Sequence, residues 1–215
     1  MRLQLLLAAR GGNREVLGKN LLRSATGTPA LVLLQLPDDP FPAANPLCRP
    51  FEAVLELEGD DGAALVRRAA PAVAALVDLV HLDLSGVLVG TPQHIIPCET
   101  PRLRYLYLMR RKAGTTHDEY LEYYFHHHSR FGHRTPGIVG YTQFHCDLAA
   151  SAAAARELGV GVHAIDSVSE LHFEALAAFF AGVADGKLGK EAADDEERFV
   201  DRANSVSFCT VTHAP

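Results

Sequence analysis

Nine of the 11 histidines, all but His81 and His94, lie after Thr100, as do 14 of the 16 Phe and Tyr residues, all but Phe41 and Phe51. Side chains able to exchange a proton near neutral pH, or to stack on a ligand, are therefore gathered in the second half of the chain. Tyr120, Tyr124 and His128 recur every four residues and share one helix face. Tyr141, Gln143 and His145 alternate along one strand and share one sheet face, and Glu170 and His172 do the same on a later strand. The alternate set Gly140, Thr142 and Phe144 is the more apolar one, so it is expected to face the helices and the polar trio to face a barrel interior. Five polar side chains meeting there would be costly unless they bond each other, water or a ligand, and a ligand-lined cavity is the favoured reading.

The chemistry suited to these residue types is proton transfer. A His takes or gives a proton while Tyr141 and Gln143 steady a developing oxyanion or enolate. His145, beside Gln143 on the presumed inner face, has the stronger placement, and an imidazole near about pH 6.5 can act in the cytoplasmic range. His128 is the second candidate, against the competing reading of a core histidine that caps its own helix end. Tyr105, Tyr107 and Arg111 share another strand face; Arg111 either anchors structure, the favoured reading, or binds an anionic substrate group. Substrate-binding candidates are thus Gln143, Glu170, His172, Tyr105, Tyr107 and Arg111, and catalytic candidates His145, His128 and Tyr141.

Several classes drop out. Adjacent helical histidines diverge, so His126, His127 and His128 cannot form a one-helix metal cluster, and no H-E-x-x-H is present. Neither G-x-S-x-G, G-x-G-x-x-G nor G-x-x-x-x-G-K occurs, which leaves serine hydrolase and nucleotide-cofactor readings unsupported. The expectation is no cofactor and no metal, with haem left open because sequence does not reveal a pocket's volume. Twenty basic against 26 acidic residues give a net charge of -6, without a basic stretch, so no nucleic-acid partner is expected. Leu3 to Ala9 is short for a signal peptide and no apolar run reaches membrane-span length, so a cytoplasmic protein with no membrane partner is expected. Cys48, Cys98, Cys146 and Cys209 contain no C-x-x-C pair and read as buried free thiols.

To position those groups, the second half reads as a strand at 102–111, a helix from His117 to about Phe131 behind a Thr116/Glu119 capping box, and a strand at 138–146. An Ala-rich loop or short helix (148–166), a strand at 168–174, a helix from Ala175 to about Ala184 and a last strand at 205–212 follow. The order β-α-β-β-α-β is the ferredoxin-like plan. The first half repeats it faintly: strand 2–9, helix 13–23, strands 30–36 and 51–58, helix 62–80 with Pro71 starting or kinking it, strand 86–96. A duplication with modules 1–98 and 99–215 is expected. Each module leaves one sheet face bare, so the two should pack sheet to sheet within one chain as an α+β barrel. Further homodimerisation stays open.

RRKAG (110–114), Tyr120-x3-Tyr124-x3-His128, PGIVGYTQFH (136–145), SELHFE (169–174) and DEERFVD (195–201) together resemble the EthD family of dimeric α+β-barrel proteins. The likeness spans about 102–213, and the first half is similar to the family only in element order. Ala113 stands where the family usually has Pro, and Tyr124 and His172 where it commonly has Trp, which changes what lines the pocket. Phe199 and Asp201 are read as packing and turn residues. The resemblance implies a place in an oxidative catabolic or biosynthetic pathway but not a reaction; the residues favour an enzyme of cofactor-free oxidoreductase, isomerase or cyclase type that acts on a small, largely apolar carbonyl or aromatic compound by His-mediated acid–base chemistry. The alternative is a non-catalytic carrier or accessory protein of an oxidative enzyme system.

Overall fold

A strand buries both its faces when its sheet curls into a barrel and helices coat the outside. That is the architecture of the computed structural model, which describes residues 1–39, 41, 51–99, 102–183 and 186–214. Strands β1 (Arg2–Leu7), β2 (Ala30–Gln35), β3 (Ala53–Glu58) and β4 (Gly86–Ile96) lie in the first half, with helices α1 (Arg14–Ala25) and α2 (Gly62–Leu76). The second half carries β5 (Leu103–Met109), α3 (His117–His126), β6 (Gly140–Cys146), α4 (Leu148–Leu158), β7 (Ser167–Phe173), α5 (Leu176–Val183), α6 (Gly186–Glu196) and β8 (Val206–His213).

The eight strands form one closed antiparallel barrel in the order β1-β3-β2-β8-β5-β7-β6-β4. Each half therefore contributes four neighbouring strands in the ferredoxin-like order: β4-β1-β3-β2, then β8-β5-β7-β6. The expected packing of two sheets is realised by hydrogen bonding at both seams. β2 pairs β8 (Val32 opposite His213) and β4 pairs β6 (Gly90 opposite Cys146), so no edge strand remains in the sheet.

Local chemistry explains the elements. Thr116 Oγ1 accepts from the Glu119 amide at 3.3 Å while Glu119 Oε2 accepts from the Thr116 amide at 2.9 Å, a complete capping box starting α3. That helix stops earlier than its apolar spacing suggests: α3 ends at His126, and 128–134 is a 3-10 turn that begins at His128. Asp147 caps α4, whose Gly159 stop sits at φ 69°, a conformation glycine adopts without the steric cost of a Cβ. Pro71 lies inside α2. The described residues contain no helix long and apolar enough to cross a membrane. Cys146 and Cys209 are buried free thiols, whereas Cys98 is exposed, contrary to expectation; Cys48 lies outside the described residues.

Outside the first half, Leu3, Leu5 and Leu7 of β1 and Val87 and Val89 of β4 pack under α1, α2 and α4, where Leu17, Leu21, Val73, Leu76 and Leu158 complete an apolar layer. Inside the barrel, one end is apolar, with Leu6, Leu33, Val54, Leu88, Leu106, Leu108, Phe144 and Phe208. The other end is charged. Arg2 Nη1 donates to both oxygens of Glu170 at 2.9 Å, and Arg104 Nη1 donates to both of Glu56 at 3.2 Å. Gln4 Nε2 bridges the two carboxylates at 2.9 and 2.7 Å. The exchange is reciprocal: an arginine from the first strand of each half meets a glutamate from the third strand of the other. Burying ions costs several kcal/mol each, and dense hydrogen bonding is what repays it. Burial raises Glu56, but Arg104 and Arg2 outweigh it and hold the carboxyl at about 2.

Candidate active site

The sheet separates the proposed site residues into different places. Glu170 and His172 face the barrel interior, as expected, in the charged end. Tyr141, Gln143 and His145 do not; they face α3, on the outside. Gln143 Nε2 donates to the Tyr124 carbonyl at 3.1 Å and to Tyr141 Oη at 2.8 Å, while its Oε1 meets His145 Nε2 at 3.1 Å. His145 packs against the rings of Tyr124 and Phe125. The polar trio thus forms a closed network under a helix. The physical reason is that a closed barrel buries both faces of its sheet, and Phe144 fits the apolar inner end better than three polar side chains would. Nor does His145 stay near the ordinary imidazole range: burial, with the nearby His117, pushes it down to about 4. Arg111 pairs with Asp166, whose Oδ1 also meets His117 Nδ1 at 2.8 Å, and Arg111 Nε reaches the Thr115 carbonyl at 3.1 Å. It anchors the start of the α3 segment.

Tyr105 and Tyr107 stand on the outer face of β5 and open onto a cavity of about 850 Å³ between that face and helices α5 and α6. Phe41, Leu171, Phe179 and Leu188 make its apolar walls, and Ser207, Arg202, Lys112 and Glu196 supply polar groups. Apolar walls with a few convergent polar groups are the usual make-up of a small-molecule site. Burial raises both phenols above their usual range; for Tyr107 the charge of Glu196 adds to it.

Glu196, the last residue of α6, is the group that sequence reasoning missed. Its side chain is 18% exposed. Among the described residues neither oxygen has a hydrogen bond: Arg202 Nε lies 3.5 Å from Oε2 and His128 Nε2 lies 4.0 Å from Oε1. Desolvation dominates over the Arg202 charge, Asp195 adds repulsion, and the carboxyl is pushed up to about 7. The negative end of α6 acts in the same direction. Behind it, His128 Nδ1 lies 2.8 Å from Asp195 Oδ2, and Asp195 also accepts from Tyr123 Oη at 2.8 Å and Arg130 at 3.2 Å. Burial lowers His128 despite Asp195; Asp195, raised by burial, is brought below its ordinary range by His128 and Tyr123. His128 is buried among Tyr124, Phe131 and Phe199, so Phe199 is a packing residue, and Asp201 accepts from Asn204 in the turn before β8. The sequence signal for Glu196 was the DEERFVD block read together with an amphipathic stretch before it, Leu188 to Glu196, that was not assigned as a helix.

The EthD domain model matches residues 112–203. An anthrone oxidase-like protein of known structure superposes with TM-score 0.65 at 10% identity, covering 99% of this chain and 90% of that one. A protein described as a candidate chlorite dismutase gives TM-score 0.58 at 8% identity over 99% and 94%. A candidate monooxygenase of Fusobacterium nucleatum gives 0.55 at 8% over 98% and 90%. At such identities the likeness is one of fold, the α+β barrel, along the whole chain. No curated protein matches the sequence at a significant level.

Proposed function

We propose that this chain, whose residues 112–203 are an EthD domain, binds a planar, largely aromatic carbonyl compound in the outer cavity and uses Glu196 to move a proton on it within an oxidative pathway. The observation that carries the reading is a buried carboxyl lining an 850 Å³ aromatic cavity, free of hydrogen bonds among the described residues and pushed up to about 7. At neutral pH both its forms are populated, the condition under which a general base is most effective. Tyr105, Tyr107 and Phe179 offer ring faces, and the phenols, Ser207 and Arg202 can donate to an oxygen that gains charge.

The fold likeness to an anthrone oxidase-like protein suggests the first probe. Anthrone is a tricyclic ketone whose benzylic C–H is acidic, because its loss leaves an aromatic phenolate. Glu196 takes that proton. The phenolate gives its electrons to dioxygen, and anthrone plus dioxygen become anthraquinone plus water. Electrons supplied by the substrate anion make a cofactor-free reaction self-sufficient. His128 keeps a role, set back from the substrate. With Nδ1–H donated to Asp195, its Nε2 stands 4.0 Å behind the Glu196 carboxyl, and Glu196 itself returns the proton to the reduced oxygen as water forms.

The test is oxygen uptake with anthrone by the full chain and by Glu196→Gln, alongside anthraquinone affinity. Loss of about 10²–10⁴ in kcat with unchanged affinity is expected. Wild-type turnover in the variant would refute the acid–base role. Saturable binding of anthraquinone without turnover by either protein would replace it with the carrier reading.

A further inference from the structure

A second cavity, of about 340 Å³, opens at the charged end of the barrel interior, on the opposite side of the sheet from Glu196. Arg2, Glu56, Arg104 and His172 line it, with His94 and Thr142, whose Nδ1 and Oγ1 are 3.2 Å apart. Six buried side-chain nitrogen or oxygen atoms among the described residues lack a hydrogen-bond partner. Four of them belong to this network: Gln4 Oε1, Arg104 Nε, and both His172 nitrogens. His172 is 4% exposed, and its Nε2 comes no closer than 3.9 Å to Glu170. A buried imidazole bonded at neither nitrogen is rare, because each unpaired polar atom carries its full desolvation cost. The concentration of such atoms around one cavity indicates a missing partner.

The surrounding charges limit what that partner is. Arg2 and Arg104 are formally balanced by Glu56 and Glu170, and Glu58 sits at the exposed rim, bonded to Arg2. A ligand with net charge would leave that charge unpaired in a desolvated space. On the cavity lining the open positions are a donor at Arg104 Nε and a donor and an acceptor on the neutral His172 ring. An uncharged planar group with a carbonyl oxygen beside an N–H or O–H satisfies a donor and an acceptor at once. We propose that this inner cavity is a binding site for a small molecule bearing an amide or a protonated carboxylic acid, whose carbonyl accepts from Arg104 and whose N–H or O–H donates to His172.

The experiment follows the His172 ring signals by NMR in the full chain while propionamide or sodium propionate is added. Propionamide should give a saturable shift with Kd of about 1 mM, the order expected for so small a molecule, and equal at pH 6 and 8. Propionate, bound with its proton, should weaken by about tenfold per pH unit across that range. Of the other titratable groups facing the cavity, Glu58, His94 and Cys98 lie at its rim and act on both probes alike. His172→Phe should abolish the binding and Glu196→Gln should leave it unchanged. His172→Gln, which keeps a donor and an acceptor, should retain it and serves if the Phe variant does not fold. No saturable shift at about 100 mM, or binding that survives His172→Phe, would overturn the assignment, as would water alone in the cavity of a crystal soaked with propionamide.

Discussion

Replacing Glu196 by Gln should stabilise the protein while it disables it. The wild-type carboxyl holds its proton to about pH 7 in the folded chain, against 4.5 as the ordinary value. The folded state therefore binds more protons than the unfolded one between those limits, and stability falls as pH rises through that window. At roughly 1.4 kcal/mol per pH unit, the loss is about 3 kcal/mol by pH 8. Gln has the same shape and no charge, so the variant escapes the loss. For a chain of 215 residues this corresponds to roughly 7 °C in Tm. The assay is thermal unfolding of both proteins at pH 4.5 and pH 8. Near-equal Tm at pH 4.5 and a higher variant Tm at pH 8 are expected. Equal values at pH 8, or a variant less stable at both, would mean that Glu196 is already well solvated or well paired, and the argument for a poised base would fail with it.

Glu56→Gln should cost about 3–5 kcal/mol at pH 7, since it leaves Arg104 and Arg2 short of a partner; denaturant melts will measure it. Because Glu56 is held at about 2, its contribution is present above pH 4.5 and fades as pH falls toward 2, so the variant should show a flatter acid limb. Gly90→Ala should destabilise by about 1–3 kcal/mol in the same melts, because its Cβ would meet the His145 carbonyl oxygen and stand 2.9 Å from the Cys146 Cα, backbone that cannot yield at the β4–β6 seam. His145→Leu should keep anthrone turnover and lose about 1 kcal/mol of stability for its bond to Gln143; a collapse of kcat in a folded variant would restore His145 as the acid–base residue.

The strands were legible because period two survives in a half-exposed or half-polar pattern: 86–96 was read to the residue, and the Thr116/Glu119 box located α3. What was not legible is which side of each strand is inside. In an open sheet the apolar side is the covered one, but here Phe144 and Leu106 point inward beside Arg2 and Glu170, while Tyr141 and Gln143 point outward under Tyr124. Polarity alone then assigns β6 the wrong way round. Glu196 escaped for a related reason. A glutamate in the run Asp194-Asp195-Glu196-Glu197 looks like solvated charge, and only the tertiary placement of α6 against Tyr107 and His128 shows Asp195 to be buried among partners and Glu196 to be desolvated without a hydrogen bond among the described residues.

The outer faces of the two halves are put to different uses. Over β5 and β8, the helices stand off and leave the 850 Å³ space; over β1 and β4, leucines, valines and alanines from α1, α2 and α4 fill the corresponding layer, with Ser151 of α4 bonded to the Val89 backbone. A barrel assembled from two identical chains would have to repeat every such hollow by symmetry, so each gain in ligand space would be taken twice from the core. Holding both halves in one polypeptide removes that constraint: one outer face can be given over wholly to packing and the other to chemistry. If the outer cavity binds as proposed, a titration should find one such site per chain, whatever the number of chains that associate.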